Sequence, residues 1–403
     1  MMKNVYLIAA AAAAVLVAGC AKNEVIQTPQ EMTPVTFGVY NGRMATKAVS
    51  TTTYGQINTN ELLQGSVGFG VFAYYSDGAA NAYDGTNFIP NFMYNQKVAY
   101  TDTTVPADGI ADAWTYSPIK YWPNEYNTSD AIGADVDKLT FFAYAPHVTT
   151  VGTEGITAFS ANTATGDPTI TFKVPASQAE QIDLLWSNAN TKNMIKQAVG
   201  GKVQFSFKHA LSNLTILPIA VVDATTTIPA SAGTNVATGT LVKVNSITLT
   251  GKFNQEGTLN IATGDWVTSA ATSDQNVTYS PATALDVTAI NDKAEADGDY
   301  TSNPVGKYPE FMFVPSTDDD LDGHYENLTI TINYDFITTD SAVNGGTVTV
   351  HNVIHKTLND FQLEKSKKMK LYLGLGMTTV LFNAEVANWT DGGSEDVWLP
   401  VNL

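Results

Sequence analysis

Leu328-Thr329-Ile330-Thr331-Ile332-Asn333-Tyr334-Asp335-Phe336 alternates apolar and polar side chains without a break. Successive side chains of an extended strand point to opposite faces. Leu328, Ile330, Ile332, Tyr334 and Phe336 therefore share one face, and the Thr, Asn and Asp residues share the other. An amphipathic helix would instead place its apolar residues at i, i+3 and i+4. The stretch reads as a strand with one buried face.

Outward from it, the same alternation recurs at residues 35–40, where Val35, Phe37 and Val39 alternate with Thr36, Gly38 and Tyr40. Further strands are expected at 139–144, 170–174, 203–207, 214–217, 244–249, 311–314, 347–353, 370–375 and 380–386. Residues 67–75 are mostly apolar throughout, like a central strand of a sandwich. Helical periodicity is confined to short turns within 177–186 and 191–199. The Thr/Ala/Gly/Asn-rich stretches at 148–168, 223–240 and 267–306 read as surface loops. Phe172-Lys173-Val174-Pro175-Ala176-Ser177 and Met312-Phe313-Val314-Pro315-Ser316-Thr317 echo each other, which suits two related β-domains in tandem. The boundary is expected near residue 199, with Gly200-Gly201 as a hinge.

Composition narrows the function classes. The 403 residues carry a formal net charge of −18, and 15% are charged against 44% hydrophobic. That apolar share excludes disorder for the bulk of the chain. The acidic balance argues against nucleic acid or anionic lipid as main partner, since both need basic surface.

Residues 1–19 form a secretory signal, with Lys3 ahead of an apolar run over 5–18. The run is too short for a membrane span, which needs about 20 residues. Leu16-Val17-Ala18-Gly19-Cys20 resembles the lipobox of bacterial lipoproteins, in which the Cys thiol takes diacylglycerol, cleavage falls just before it, and the new amine is acylated. Cys20 is the only cysteine, so disulfides and thiol catalysis are excluded. Lys22-Asn23-Glu24, after Ala21, resembles the tag that sends such lipoproteins to the cell surface in Bacteroides-like bacteria. Residues 21–34, polar with Pro29 and Pro34, read as a tether.

No catalytic motif is present: there is no Gly-x-Ser-x-Gly, phosphate loop or His-Glu-x-x-His. His351 and His355 lie on a strand-like run, where four residues separate side chains by about 13 Å, too far to share a metal. His147 and His209 flank strands singly and read as core or rim residues. Asp318, Asp320, Asp322 and Gly323 match the first half of a calcium loop, but Thr329 stands where a bidentate Glu belongs. A solvated acidic turn is the main reading there, with calcium as the alternative. No cofactor is expected and no enzyme activity.

Arg43 is the only arginine; the other 20 of 21 basic residues are lysines. It follows an alternating strand in a flexible stretch beside Gly42, and a body without arginine would survive an Arg-specific protease intact. Lys47 is the backup cleavage position. Val397-Trp398-Leu399-Pro400-Val401-Asn402-Leu403 places Val397, Leu399, Val401 and Leu403 on one face, and Pro400 favours an edge or inserted strand.

With the lipobox, the strand 35–40 ahead of Asn41-Gly42-Arg43, Asp183-Leu184-Leu185-Trp186 and Phe205-Ser206-Phe207-Lys208-His209-Ala210-Leu211, the chain resembles a Bacteroidales fimbrillin, a subunit of type V pili. These cues occupy the N-terminal half. Pattern and resemblance together give an all-β expectation of two tandem β-sandwich (transthyretin-like) domains, at 44–199 and 200–403. The resemblance implies export as a lipoprotein to the outer membrane surface, then cutting by a trypsin-like or Arg-specific protease that removes residues 20–43. The freed groove then takes a strand from another fimbrial subunit by β-strand addition, and head-to-tail repetition gives a filament. Residues 397–403 are the possible donor. The rival reading is a surface glycan-binding lipoprotein of a polysaccharide uptake system, with Trp114, Tyr116, Tyr121 and Trp122 stacking on sugars.

Overall fold

In the computed structural model, the described residues are 33–39, 68–77, 81–100, 114–123, 137–187, 191–195, 201–221, 239–268, 273–302, 307–315, 324–325, 328–342, 344–358, 361–362, 364–376, 380–388 and 396–397. The apolar run expected at 67–75 becomes the strand Phe69–Ser76, inside a six-stranded antiparallel sheet. Its order is Phe207–His209, Leu185–Ser187, Lys138–Ala145, Phe69–Ser76, Met93–Tyr100 and Trp114–Thr115. The two central strands are apolar on both faces because both faces are covered. Phe69, Val71, Ala73, Phe141 and Ala143 enter one core, whereas Phe72, Tyr74, Phe142 and Tyr144 enter another.

A two-stranded parallel sheet, Thr36–Val39 beside Lys202–Phe205, covers the first core. A four-stranded sheet in the order Trp266–Thr268, Glu256–Asn260, Thr169–Lys173 and Gly155–Phe159 contributes Leu259, Ile170, Phe172 and Trp266 to the second. The second core also holds Phe172 and Val174 with Met312 and Val314, so the two Val-Pro segments that echo in sequence meet in one layer.

The third core lies in a β-sandwich. One sheet has the order Glu310–Phe313, Ser212–Ala220, Lys367–Leu375, Val380–Asn388 and Asp396–Val397, with Ser212–Ala220 and Lys367–Leu375 parallel. The other has the order Gln275–Tyr279, Thr240–Gly251, Leu328–Thr339 and Thr347–Leu358. Leu328, Ile330, Ile332, Tyr334 and Phe336 are buried in this core, and each intervening residue is part-exposed, as the alternation requires.

The structure corrects three expectations. The expected loop at 148–168 contains the strand Gly155–Phe159. The expected loop at 267–306 contains the strands Gln275–Tyr279 and Leu285–Asp286 and the helix Lys293–Ser302. The helix starts where Asp292 Oδ1 accepts the Glu295 amide at 2.8 Å and Glu295 Oε2 accepts the Asn291 amide at 2.6 Å. Those reciprocal bonds satisfy orphan donors of the first turn. Finally, the helical turns expected in 177–186 reduce to one 3-10 turn, Gln178–Glu180, before the strand Leu185–Ser187.

Candidate functional site

In the first strand, Thr36–Val39, only Thr36 is exposed: Val35, Phe37 and Val39 are 1%, 1% and 4% exposed, and Gly38 on the opposite face is covered by the Gln204 and Lys202 side chains. Its backbone is tied on both sides. Thr36, Phe37, Gly38 and Val39 run parallel to Lys202, Val203, Gln204 and Phe205. At its start, the Val35 amide donates to the Lys120 carbonyl at 2.9 Å and the Thr36 amide to the Gly201 carbonyl at 3.0 Å. The Tyr116 hydroxyl donates to the Val35 carbonyl at 2.8 Å.

Aromatic rings form the walls. Phe37 stacks on Phe205 at 5.7 Å, tilts against Tyr116 at 5.3 Å, and meets Phe141 and Phe69 edge-on at 5.8 and 6.4 Å. Such pairs add to area burial. Trp122 closes one end, its indole N–H donating to the Gly201 carbonyl at 3.0 Å. Gly201 is buried and held by the first strand as well, so this part of the expected hinge is tied down.

The aromatic cluster weighed as a sugar platform is mostly core. Trp114, Tyr116 and Trp122 are 5%, 9% and 3% exposed, against 42% for Tyr121. Their surroundings explain this: Trp114 packs on Phe69 at 4.9 Å and Trp122 on Phe141 at 5.9 Å.

Of the remaining expected residues, none of the described ones is brought to this seat. Cys20, Arg43, Lys47, Leu399, Val401, Leu403, Asp318, Asp320 and Asp322 lie outside the described residues. Val397 falls in the two-residue strand Asp396–Val397, paired antiparallel to Val386 at the edge of the five-stranded sheet. His351 and His355 sit on the strand Thr347–Leu358; His351 Nδ1 is 2.7 Å from Asp335 Oδ1 and His355 Nδ1 is 2.9 Å from Thr331 Oγ1. His209 is buried with its Nδ1 2.7 Å from Asp183 Oδ2. Sequence spacing gives no sign of that pair, because 26 residues separate its members. Among the described residues, no group of three or more His, Cys, Asp and Glu could hold a metal ion.

A seat of this kind is a packing device: it binds an alternating apolar strand and supplies no reacting group. A fimbrium subunit, Fim1C, of Phocaeicola vulgatus (strain ATCC 8482) is 31% identical over 213 residues, which are 51% of this chain and 49% of that protein. The chain thus matches about half the length of this curated relative. A crystal structure of a fimbrial protein from Bacteroides vulgatus ATCC 8482 superposes with a TM-score of 0.61 at 22% identity, covering 89% of this chain and 99% of that one, and so shares the fold. The fimbrillin-like family matches across residues 46–389, the whole stretch that carries the three cores beyond the first strand, and the chain belongs to that family.

Proposed function

We propose that the chain is a structural or tip subunit of a surface fimbria, assembled by protease-triggered strand exchange and supporting adhesion. It reaches the outer membrane surface as a lipoprotein acylated at Cys20. A trypsin-like or Arg-specific protease cuts after Arg43, with Lys47 as the alternative, and residues 20–43 leave with the first strand. Another subunit then inserts a strand into the vacated seat, and residues 397–403 are the candidate donor.

The observation that carries this reading is the seat itself. Thr36–Val39 lies just ahead of the lone arginine and buries Val35, Phe37 and Val39 against residues 69–205. Its removal would expose the walls around Phe205 and leave backbone groups of Lys202–Phe205 unpaired. Each backbone bond regained by an incoming strand contributes about 0.5–1.5 kcal/mol, and each large apolar side chain about 1.5–3 kcal/mol. Exposed walls of that kind drive strand addition.

The test is the N-terminus of the protein recovered from the cell surface, by mass spectrometry. A chain starting at Met44 or Ala48 is expected. A chain still starting at acylated Cys20 on assembled filaments would overturn the mechanism.

A further inference from the structure

The helix Lys293–Ser302 packs on the five-stranded sheet through polar contacts. Lys370 Nζ is 2.6 Å from Asp297 Oδ1, the Tyr372 hydroxyl is 2.9 Å from Asp297 Oδ2, and Lys368 Nζ contacts both Tyr300 and Glu310. These are ordinary ion pairs and hydrogen bonds. One group at the start of the helix differs in kind. Lys293 Nζ lies 2.6 Å from the carboxamide oxygen of Asn383 and 3.4 Å from Glu385 Oε1. Asn383 and Glu385 are two apart on the strand Val380–Asn388, opposite Tyr372 and Lys370 respectively.

The surroundings are partly withdrawn from water. The Lys293 and Glu385 side chains are 15% and 23% exposed. Nζ sits 5.1 Å from the centroid of the Tyr372 ring, which is fully buried. The Tyr372 hydroxyl also lies 3.2 Å from Glu385 Oε2, so its one proton is shared between that carboxylate and Asp297, and Glu385 sits beside the amine. An amine, a carboxamide and a carboxylate are thus within contact distance, oriented by a buried ring.

We propose that Lys293 and Asn383 become joined by an intramolecular isopeptide bond, with Glu385 as the proton carrier. Glu385 takes a proton from the Lys293 ammonium, and the freed lone pair attacks Cγ of Asn383, forming the new C–N bond. Glu385 then gives its proton to the carboxamide nitrogen while taking the second proton from Nζ. The original C–N bond breaks and ammonia leaves, carrying away the last proton from Glu385 as ammonium. Charge balances and nothing is oxidised or reduced. Proximity supplies most of the rate, since a held pair avoids the entropy of a bimolecular encounter. The bond would tie the helix to the strand neighbouring the edge strand Asp396–Val397. It is independent of how the first strand is processed.

The test is the intact mass of the folded full chain after prolonged incubation, with peptide mapping. The expected mass is lower than the sequence mass by one ammonia, with a branched peptide joining Lys293 to Asn383. Lys293→Arg keeps the cation and its hydrogen bond, so it should fold and retain the full mass. Glu385→Gln should also retain it. Full mass in the wild-type chain, or ammonia loss that persists in Lys293→Arg, would overturn the proposal.

Discussion

Phe37 stacks on Phe205 with centroids 5.7 Å apart and planes 19° apart, although neither is the other's register partner. Phe37 is opposite Val203, and Val39 is opposite Phe205. The contact is diagonal across the parallel ladder, and it holds the first strand by its side chains as well as by its backbone. Truncating a buried Phe costs about 3–5 kcal/mol. Phe37→Ala is expected to lower the stability of the unprocessed chain by that amount. Phe205→Ala should do the same there, yet cost distinctly less in a chain starting at Met44, where the ring has lost its partner. Urea unfolding of both forms checks this, and equal losses in the two would mean that Phe205 does not depend on the first strand.

Tyr116 tests the backbone side of the same seat. Its hydroxyl donates to the Val35 carbonyl at 2.8 Å, at a position where the residue is 9% exposed. The same hydroxyl accepts the Lys120 amide at 3.2 Å. Tyr116→Phe removes both contacts, and a net loss of about 1–2 kcal/mol is expected in the unprocessed chain. In a chain lacking the first strand the loss should be smaller, because only the Lys120 contact remains to be removed; equal losses in the two forms would mean that the Val35 bond contributes nothing. The same pair of unfolding curves measures both.

Legibility followed the number of faces a segment buries. Leu328–Thr339 buries one face, so its alternation reads directly; Val35, Phe37 and Val39 alternate just as plainly, although Gly38 between them is buried too. Met93–Tyr100 hides its period. Its pairing with Phe69–Ser76 slips between Val71 and Ala73, and Asn95 takes a left-handed φ of 46°. The helix Lys293–Ser302 is held largely by Asp297, Asp299 and Tyr300 reaching lysines, tyrosines and Glu310. It therefore lacks the apolar stripe that marks a helix in sequence. The walls of the seat come from residues 69, 116, 141 and 205, and only folding assembles them. At 114–122 residue type does not separate a sugar platform from core, because both uses call for the same rings; the burial of Trp114, Tyr116 and Trp122 does.

Gly264 separates packing from backbone strain. Its φ is +76°, and a Cβ there would lie 1.9 Å from Trp186 Cζ2, on a ring that is 4% exposed and has no room to retreat. Gly345 has a φ of +96° with nothing within 4 Å of the added atom. Left-handed strain costs each substitution about 1–2 kcal/mol. Overpacking adds about 1–3 kcal/mol at Gly264 alone. Gly264→Ala is therefore expected to lower the thermal midpoint clearly further than Gly345→Ala. Equal shifts would show that Trp186 moves aside without cost.

His147 predicts the direction of a pH dependence. Burial, followed by the nearby Lys97 charge, lowers the proton affinity of its imidazole below the ordinary value of 6.5, and the Asn95 backbone only partly opposes this. The unfolded chain regains the ordinary value, so it binds the proton first as the solution is acidified. Stability from this group is complete above about pH 6.5 and is lost as pH falls toward the lower folded value. Asp84 and Asp265, whose hydrogen bonds lower their affinities below the ordinary 3.8, titrate under that window. Between pH 7 and about 5 the wild-type chain should lose stability more steeply than His147→Gln, which keeps a polar side chain but cannot take the proton. Urea midpoints of the two proteins across that range measure the difference, and parallel curves would mean that the ring is as well solvated in the folded chain as in the unfolded one.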